Sequence, residues 1–407
     1  MSRPPLPFVP PGATLVPADE IRRRLAGLQA MLAGRDLDAA LLVQNADLYY
    51  YAGTVQQSFL YVPVDGQATL FVRKVAERAR LESSLDAVME LGAFRDLPAR
   101  LRERYGVLPS RLGMELDVLP ALRLRSFEKL LPQAVVEDVG RDIVRLRAIK
   151  SAWEIERIRA AARLADRVCA RVAEVLREGL REVELAGLVE AEARRLGHEG
   201  VVRMRAFNQE IFYGQLLTGG SGCVPSFPDT PLAGTGLSPA VAQGPGFRRI
   251  SRGEPVLFDF VAVRDGYMAD TTRMFVIGEL PGELVRAYDA ALGVQEAAIA
   301  AACPGATCAA VWEAALSTAT REGLGDAFMG HGVGQVRFVG HGVGVELDEL
   351  PVLAASSYEL AEGMVFALEP KFVLPGLGAV GVENTWALTA AGPERLTLAP
   401  QDIVAVG

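Results

Sequence analysis

Histidine is scarce in this sequence: three occur among 407 residues, His198, His331 and His341. Chemistry that needs a cluster of imidazoles is therefore tightly constrained, and each imidazole that is present carries weight. Cysteine is nearly as rare. Cys169, Cys223, Cys303 and Cys308 are too few for a disulfide framework, and Cys303 and Cys308 lack Cys-x-x-Cys spacing, so all four read as buried thiols. Basic residues are outnumbered, 42 Lys and Arg against 50 Asp and Glu, for a net charge of -8 and a pI near 5.2. That balance argues against a nucleic-acid partner, because phosphate binding draws its affinity from clustered Lys and Arg. No run approaches the roughly 20 apolar residues needed to span a bilayer, so no membrane partner is expected. The Pro-rich start, MSRPPLPFVPPGATLVP, lacks the apolar core of a secretory signal. The expectation is a cytoplasmic protein acting on a small or peptide-like substrate.

What is present is an ordinary globular composition, half apolar and 23% charged. A chain of this length is too long for one core, and two domains are expected, residues 1–147 and 148–407. From Ala18 to about Val139, helical patterns such as DEIRRRLAGLQAMLAG alternate with the apolar runs AALLV, FLYVPV, ATLFV and RLGMEL, which reads as a small α/β domain. Asp65-Gly66 between two of these runs suits a tight hairpin turn. Tyr49, Tyr50 and Tyr51 read as packing residues. Near the boundary, Ser151 and Glu154 have capping-box spacing and open a helix whose apolar side runs through Ile155, Ile158, Ala162, Ala165, Val168 and Val172, with Gly179 as a stop. A second helix spans about Glu182 to Leu196. The Gly-, Pro- and Ser-rich stretch Thr218 to Gly246 is too long for a plain connector and is expected to line a site. Strands and helices then alternate to the end.

The acids that carry chemistry sit in two hairpins. In VLFDFVAVRDGYMADTTRMFVIG, two β-rich runs flank Asp265-Gly266. A turn there sets Asp259 opposite Thr272 and diagonal to Asp270, so both carboxylates leave the same sheet face. In GMVFALEPKFVLPGLGAVGVENTWAL, a turn centred on Gly376 sets Glu369 opposite Glu383. Four carboxylates at one place repel one another unless cations neutralise them, which two divalent metal ions would do. A nitrogen ligand is offered by GHGVG, whose glycines expose an imidazole; the motif occurs twice, at His331 and His341. The oxygen-rich donor set suits manganese, cobalt, zinc or iron without choosing among them.

These motifs, DFVAVRDGYMADTTR, GHGVGVELDELP, LEP and GVENT, stand in an order and approximate spacing that resembles the pita-bread metallopeptidases, which include prolidase, aminopeptidase P and methionine aminopeptidase. The resemblance covers about residues 150 to 400, and the first 145 residues resemble the creatinase/prolidase N-terminal domain. It implies an α/β (α+β) chain: a small creatinase-like α/β domain, then a pita-bread catalytic domain of two α-β halves related by a pseudo-twofold. It implies metal ligation by Asp259, Asp270, His341, Glu369 and Glu383, with Asp270 and Glu383 bridging and Glu369 also shuttling the proton. His341 is preferred over His331 because VELDELP follows it. Creatinase shares the fold without a metal but lacks this five-ligand set. The implied activity is that of an Xaa-Pro dipeptidase or aminopeptidase in which a hydroxide bridging two metals attacks the peptide bond, and the implied assembly is a homodimer.

Two departures from that family pattern bear on specificity. Asp348 stands seven residues after His341, where relatives usually carry a histidine, and no histidine precedes Asp259 in SPAVAQGPGFRRISRGEPVLFD. An ionised Asp348 accepts hydrogen bonds only; it suits a substrate ammonium or the orientation of Arg337. His331 and Gln243 are the candidate replacements for the missing donor. Gly381 stands where proline-specific relatives place an arginine, and Arg203, Arg205, Arg248 and Arg273 remain as candidates for a substrate carboxylate. The alternatives are a lyase or other non-peptide hydrolase using the same metal pair, and a non-catalytic binding module.

Overall fold

The structure, a computed structural model, describes residues 9, 10 and 12–407. Most of the stretch read for a secretory signal lies outside them. The chain divides into two compact units, one ending at Arg147 and one beginning at Ala148.

The first unit opens with helix α1 (Ala18–Gly34) and is built on strands β1 (Ala39–Leu42), β2 (Ser58–Pro63), β3 (Thr69–Val72), β4 (Val88–Glu90), β5 (Arg111–Met114) and β6 (Val135–Asp138), in the sheet order β4-β3-β2-β1-β5-β6. Helices α2 (Asn45–Ala52), α3 (Ala76–Glu82), α4 (Leu97–Tyr105), α5 (Ala121–Leu130) and α6 (Gly140–Ala148) connect or follow the strands. The strands β1, β2 and β3 are buried along their whole length, as continuous apolar runs covered on both faces should be. The β2–β3 pair is the hairpin expected around Asp65-Gly66, with Tyr61 opposite Thr69 and Gly66 at a φ of 101°. Phe59, Phe71, Leu112 and Phe127 form its core. Tyr50 and Tyr51 are buried, their rings edge-on at 4.9 Å, as packing residues.

The second unit runs through two helices and then strands, twice. Its first helix, α7 (Ala152–Val175), starts at the expected capping box: the Glu154 amide donates to Ser151 Oγ at 3.2 Å and the Ser151 amide to Glu154 Oε2 at 3.1 Å. After α8 (Glu182–Arg195) come β7 (Gly214–Thr218), β8 (Val256–Arg264) and β9 (Tyr267–Ile277). Helices α9 (Gly282–Ala301) and α10 (Cys308–Arg321) follow, then β10 (Phe338–Gly342), β11 (Glu349–Ala354), β12 (Val365–Leu368), β13 (Lys371–Leu374), β14 (Gly378–Gly381), β15 (Asn384–Thr389), β16 (Gly392–Arg395) and β17 (Val404–Val406). The sheets are β17-β9-β8-β7, β11-β10-β12-β15-β16 and the ribbon β13-β14. Val294, Trp312, Phe366 and Phe372 lie in the core beneath them. The reading of four buried thiols needs correction: Cys169 and Cys308 are buried, Cys223 is partly so, and Cys303 is exposed because it falls in the turn just past α9.

Candidate metal centre

The β8–β9 hairpin turns on Asp265 and Gly266, whose φ values of 51° and 72° are the left-handed pair that a two-residue hairpin requires. Arg264 therefore pairs with Tyr267, and counting back along the ladder sets Asp259 opposite Thr272 and Val261 opposite Asp270. Side chains alternate faces along a strand, so Asp259, Asp270 and Thr272 project to one side.

The second pair of acids comes from two ladders in one register. Lys371 pairs with Gly381 on the β13–β14 ribbon, and Leu368 with Asn384 on β12–β15. Glu369 and Glu383 occupy the gap between the ladders, beside Pro370, which has no amide to donate. Glu383 is joined to β9 instead: its backbone exchanges bonds with Thr272 at 3.3 and 3.4 Å, its Oε2 accepts from Thr272 Oγ1 at 2.7 Å, and its carbonyl accepts from Arg273 at 2.7 Å. Asp270 is fixed in the same way, its amide donating to Thr385 Oγ1 at 2.9 Å.

His341 enters from β10, which lies between β11 and β12. Its Nδ1 lies 3.1 Å from the Leu347 carbonyl and 3.2 Å from that of Gly342, both acceptors only. A neutral ring therefore keeps its proton on Nδ1 and turns the Nε2 lone pair toward Asp270 Oδ2, at 3.9 Å, and Glu369 Oε1, at 3.8 Å. Burial draws the His341 pKa down, but the carboxylates of Asp348, Glu369 and Glu383 outweigh it and leave it above its ordinary value.

Lys371, absent from the sequence reading, completes the cluster. It follows Glu369 by two residues on an extended chain, so both side chains face the same way. Its Nζ lies 2.5 Å from Glu369 Oε2, 2.9 Å from Asp259 Oδ2 and 3.2 Å from Glu383 Oε2. Burial opposes the charge on this amine, yet the three carboxylates hold its pKa well above the ordinary lysine value. One ammonium does not balance four acids. Burial first, and then the charges of Glu383 and Asp259, push Asp270 far above the usual carboxylate range; burial also raises Asp259, against the pull of Lys371.

A divalent cation fits the remaining charge. Asp270, His341 and Glu383 each present a ligand atom within 4.8 Å of the others, and Glu383 Oε1 is buried with no hydrogen-bond partner. Asp259, Glu369 and Glu383 form a second such trio, and there Lys371 Nζ already bonds all three.

The five residues line a cavity of about 240 Å³, together with Asp348 and Gln243. Pro228, Asp229 and Thr230 bring the long Thr218–Gly246 stretch to the same cavity. Asp348 is exposed, with Oδ1 3.7 Å from His341 Nδ1, while the Gln243 side-chain amide is taken by the Glu210 carbonyl. His331 and Arg337 are not brought to the cavity; both are exposed. Hydrogen bonds from Met329 N–H to Lys371 O and from Val336 N–H to Met329 O pin the base of their loop, and Gly330 and Gly332, at φ values of 109° and 56°, swing His331 outward. Arg273 is buried and committed to the carbonyls of Ala399, Thr272 and Glu383, and Arg248 pairs with Glu254. Neither is a carboxylate receptor. Gln215, opposite Asp259 on β7, is a further polar residue the sequence reading missed: it is buried, lines the cavity, and leaves Oε1 without a partner. Its cross-strand place beside Asp259 was the available signal.

Residues 156–390 match the pattern of metallopeptidase family M24, and residues 24–149 that of the creatinase/prolidase N-terminal domain. The chain is 30% identical over 393 residues to the Xaa-Pro dipeptidase of Pyrococcus furiosus, covering 94% of this chain and 100% of that one. The prolidase structure from Pyrococcus horikoshii OT3 superposes with a TM-score of 0.78 at 25% identity, over 94% of this chain and 100% of its own. The X-Pro aminopeptidase structure from Thermotoga maritima does so with a TM-score of 0.78 at 24% identity, over 93% and 100%.

Proposed function

Since the chain belongs to metallopeptidase family M24, we propose that it is a divalent-metal-dependent peptidase that cleaves small peptides at Xaa-Pro bonds. The observation that carries this reading is the convergence of Asp259, Asp270, His341, Glu369 and Glu383 on one cavity of small-molecule size. A bound divalent ion supplies Lewis-acid polarisation of a carbonyl and makes hydroxide available near neutral pH. The residues of the chain do the rest. Asp270, His341 and Glu383 would hold the ion. Glu369 keeps Oε2 on Lys371 and has Oε1 left to take a proton and return it to the departing amine. Asp348, at the cavity wall, accepts a substrate ammonium. The sequence-based expectation of two ions turns on Lys371, which occupies the second trio of acids. A cytoplasmic homodimer belongs to the same proposal, the dimer being readable by light scattering.

The test is hydrolysis of a panel of Xaa-Pro dipeptides and longer Xaa-Pro peptides, with non-proline controls, after reconstitution with Mn, Co or Zn. Turnover that disappears in Glu383→Ala is the expected result. A protein that binds metal but cleaves none of the panel would point to the non-peptide alternative, for which the missing imidazoles are the motivating feature.

A further inference from the structure

Lys371 is a buried cation among the very acids that a second metal ion requires. We propose that its ammonium permanently takes the place of one divalent ion, so that this chain works with a single divalent ion, at Asp270, His341 and Glu383, beside a fixed lysine. The inference rests on the metal-dependent reading above and refines it.

Three observations carry it. Nζ is 2.5, 2.9 and 3.2 Å from one oxygen each of Glu369, Asp259 and Glu383. A metal ion bonded to those same oxygens, at the usual distance of about 2.0 to 2.2 Å, falls within contact distance of Nζ, so the ion and the ammonium exclude each other. Lys371 also has no solvent to turn toward: its side chain is 1% exposed, and β13 is buried from end to end. The third observation is space. Lys371 pairs across the ribbon with Gly381, where a Cβ would meet Lys371 Cγ at 2.5 Å and the Pro370 carbonyl oxygen at 2.8 Å. The lysine stem thus fills the space beside Gly381, where related sequences were expected to carry an arginine.

Charge points the same way. One dication and one ammonium bring three positive charges to four carboxylates, whereas two dications and the ammonium bring five. The ammonium has three hydrogens and three carboxylate acceptors, so none is left for a substrate carbonyl. Lys371 is thus a positioning residue: it fixes Asp259, Glu369 and Glu383 from the place a second ion would take.

The experiment is metal counting on the full chain, stripped with chelator and reloaded with Mn(II), read by elemental analysis and by electron paramagnetic resonance. The wild type is expected to hold one Mn per chain with the six-line signal of an isolated ion, and Lys371→Ala to hold two with a spin-coupled signal. Two coupled ions in the wild type overturn the inference and leave the peptidase reading standing; no ion in the wild type overturns both. A folded Lys371→Ala that still takes one ion also overturns it. Should that variant not fold, an anomalous difference map of the Mn-soaked wild type decides: one peak, beside His341, supports the proposal, and a second peak between Asp259 and Glu369 ends it.

Discussion

Gly381 has no positive φ to explain its lack of a side chain; what it provides is room for Lys371. Adding one methyl there forces the Lys371 stem or the Pro370 carbonyl to move. Overpacking of a well-filled interior typically costs about 1–3 kcal/mol. Gly381→Ala is therefore expected to lose stability in that range in urea denaturation of the metal-free protein, and a change within about 0.5 kcal/mol, the level of a surface substitution, would show that the stem is free to move. The same residue-level view explains what the sequence made legible. Asp259 interrupts an apolar run, where a buried acid without a partner is costly, and the hairpin register sets Asp270 diagonal to it, so their pairing in a site followed from type and position. Lys371 was overlooked because lysine in a strand normally reaches solvent, and only its two-residue offset from Glu369 placed it among the acids. His331 and His341 sit in identical pentapeptides. What separates them is long-range: Gly340, His341 and Gly342 pair with β12, whereas residues 332–334 form a short 3-10 turn.

At the scale of elements, hairpin registers were the most readable feature because turn chemistry fixes them. Asp265-Gly266 dictates Asp259 opposite Thr272, and a centre at Gly376 aligns Glu369 with Glu383. The change of ladder at Glu369–Pro370 was not readable, since it depends on which strand of another segment captures β12 and β15. A different inter-element contact carries a pH prediction. Glu115, just after β5, is buried and accepts the amides of Val43 and Gln44 at 3.1 and 3.2 Å where β1 gives way to α2. Burial, with the nearby charge of Asp47, pushes its pKa from 4.5 to about 8. Folding therefore binds a proton that the unfolded chain releases between those values. Since stability falls with pH wherever the native state holds more protons, this contribution is complete below about 4.5 and is lost as pH rises through about 8. Denaturation midpoints from pH 5 to 8.5 should show a downward slope that Glu115→Gln flattens; an unchanged slope in the variant would assign it to other groups.

For the whole molecule, composition narrowed the classes early, and among the described residues no helix is long and apolar enough to cross a membrane. The order of five candidate ligands along about 120 residues then carried the resemblance to the family, and both hairpins and the strand bearing the histidine close on one cavity. Such closure makes the cation part of the fold. Without it, four clustered acids face one ammonium, and Asp270 stays protonated well above the usual carboxylate range. An ion bound only by the native state adds about 4 kcal/mol at a thousand times its dissociation constant. All three tryptophans, Trp153, Trp312 and Trp386, lie beyond Ala148, so their fluorescence follows the unit that holds the site. Chelation is expected to lower that unfolding transition, and Glu383→Ala to remove the dependence on metal. The sign of the pH effect follows from the acids. The raised pKa values of Asp259 and Asp270 make the metal-free protein lose stability as pH rises, while the ion binds deprotonated ligands and gains affinity over the same range. The drop caused by chelator should therefore be larger at pH 8 than at pH 6. Equal drops would mean that the ligands are already ionised without metal, and no drop at either pH would mean that the cavity holds no ion at all.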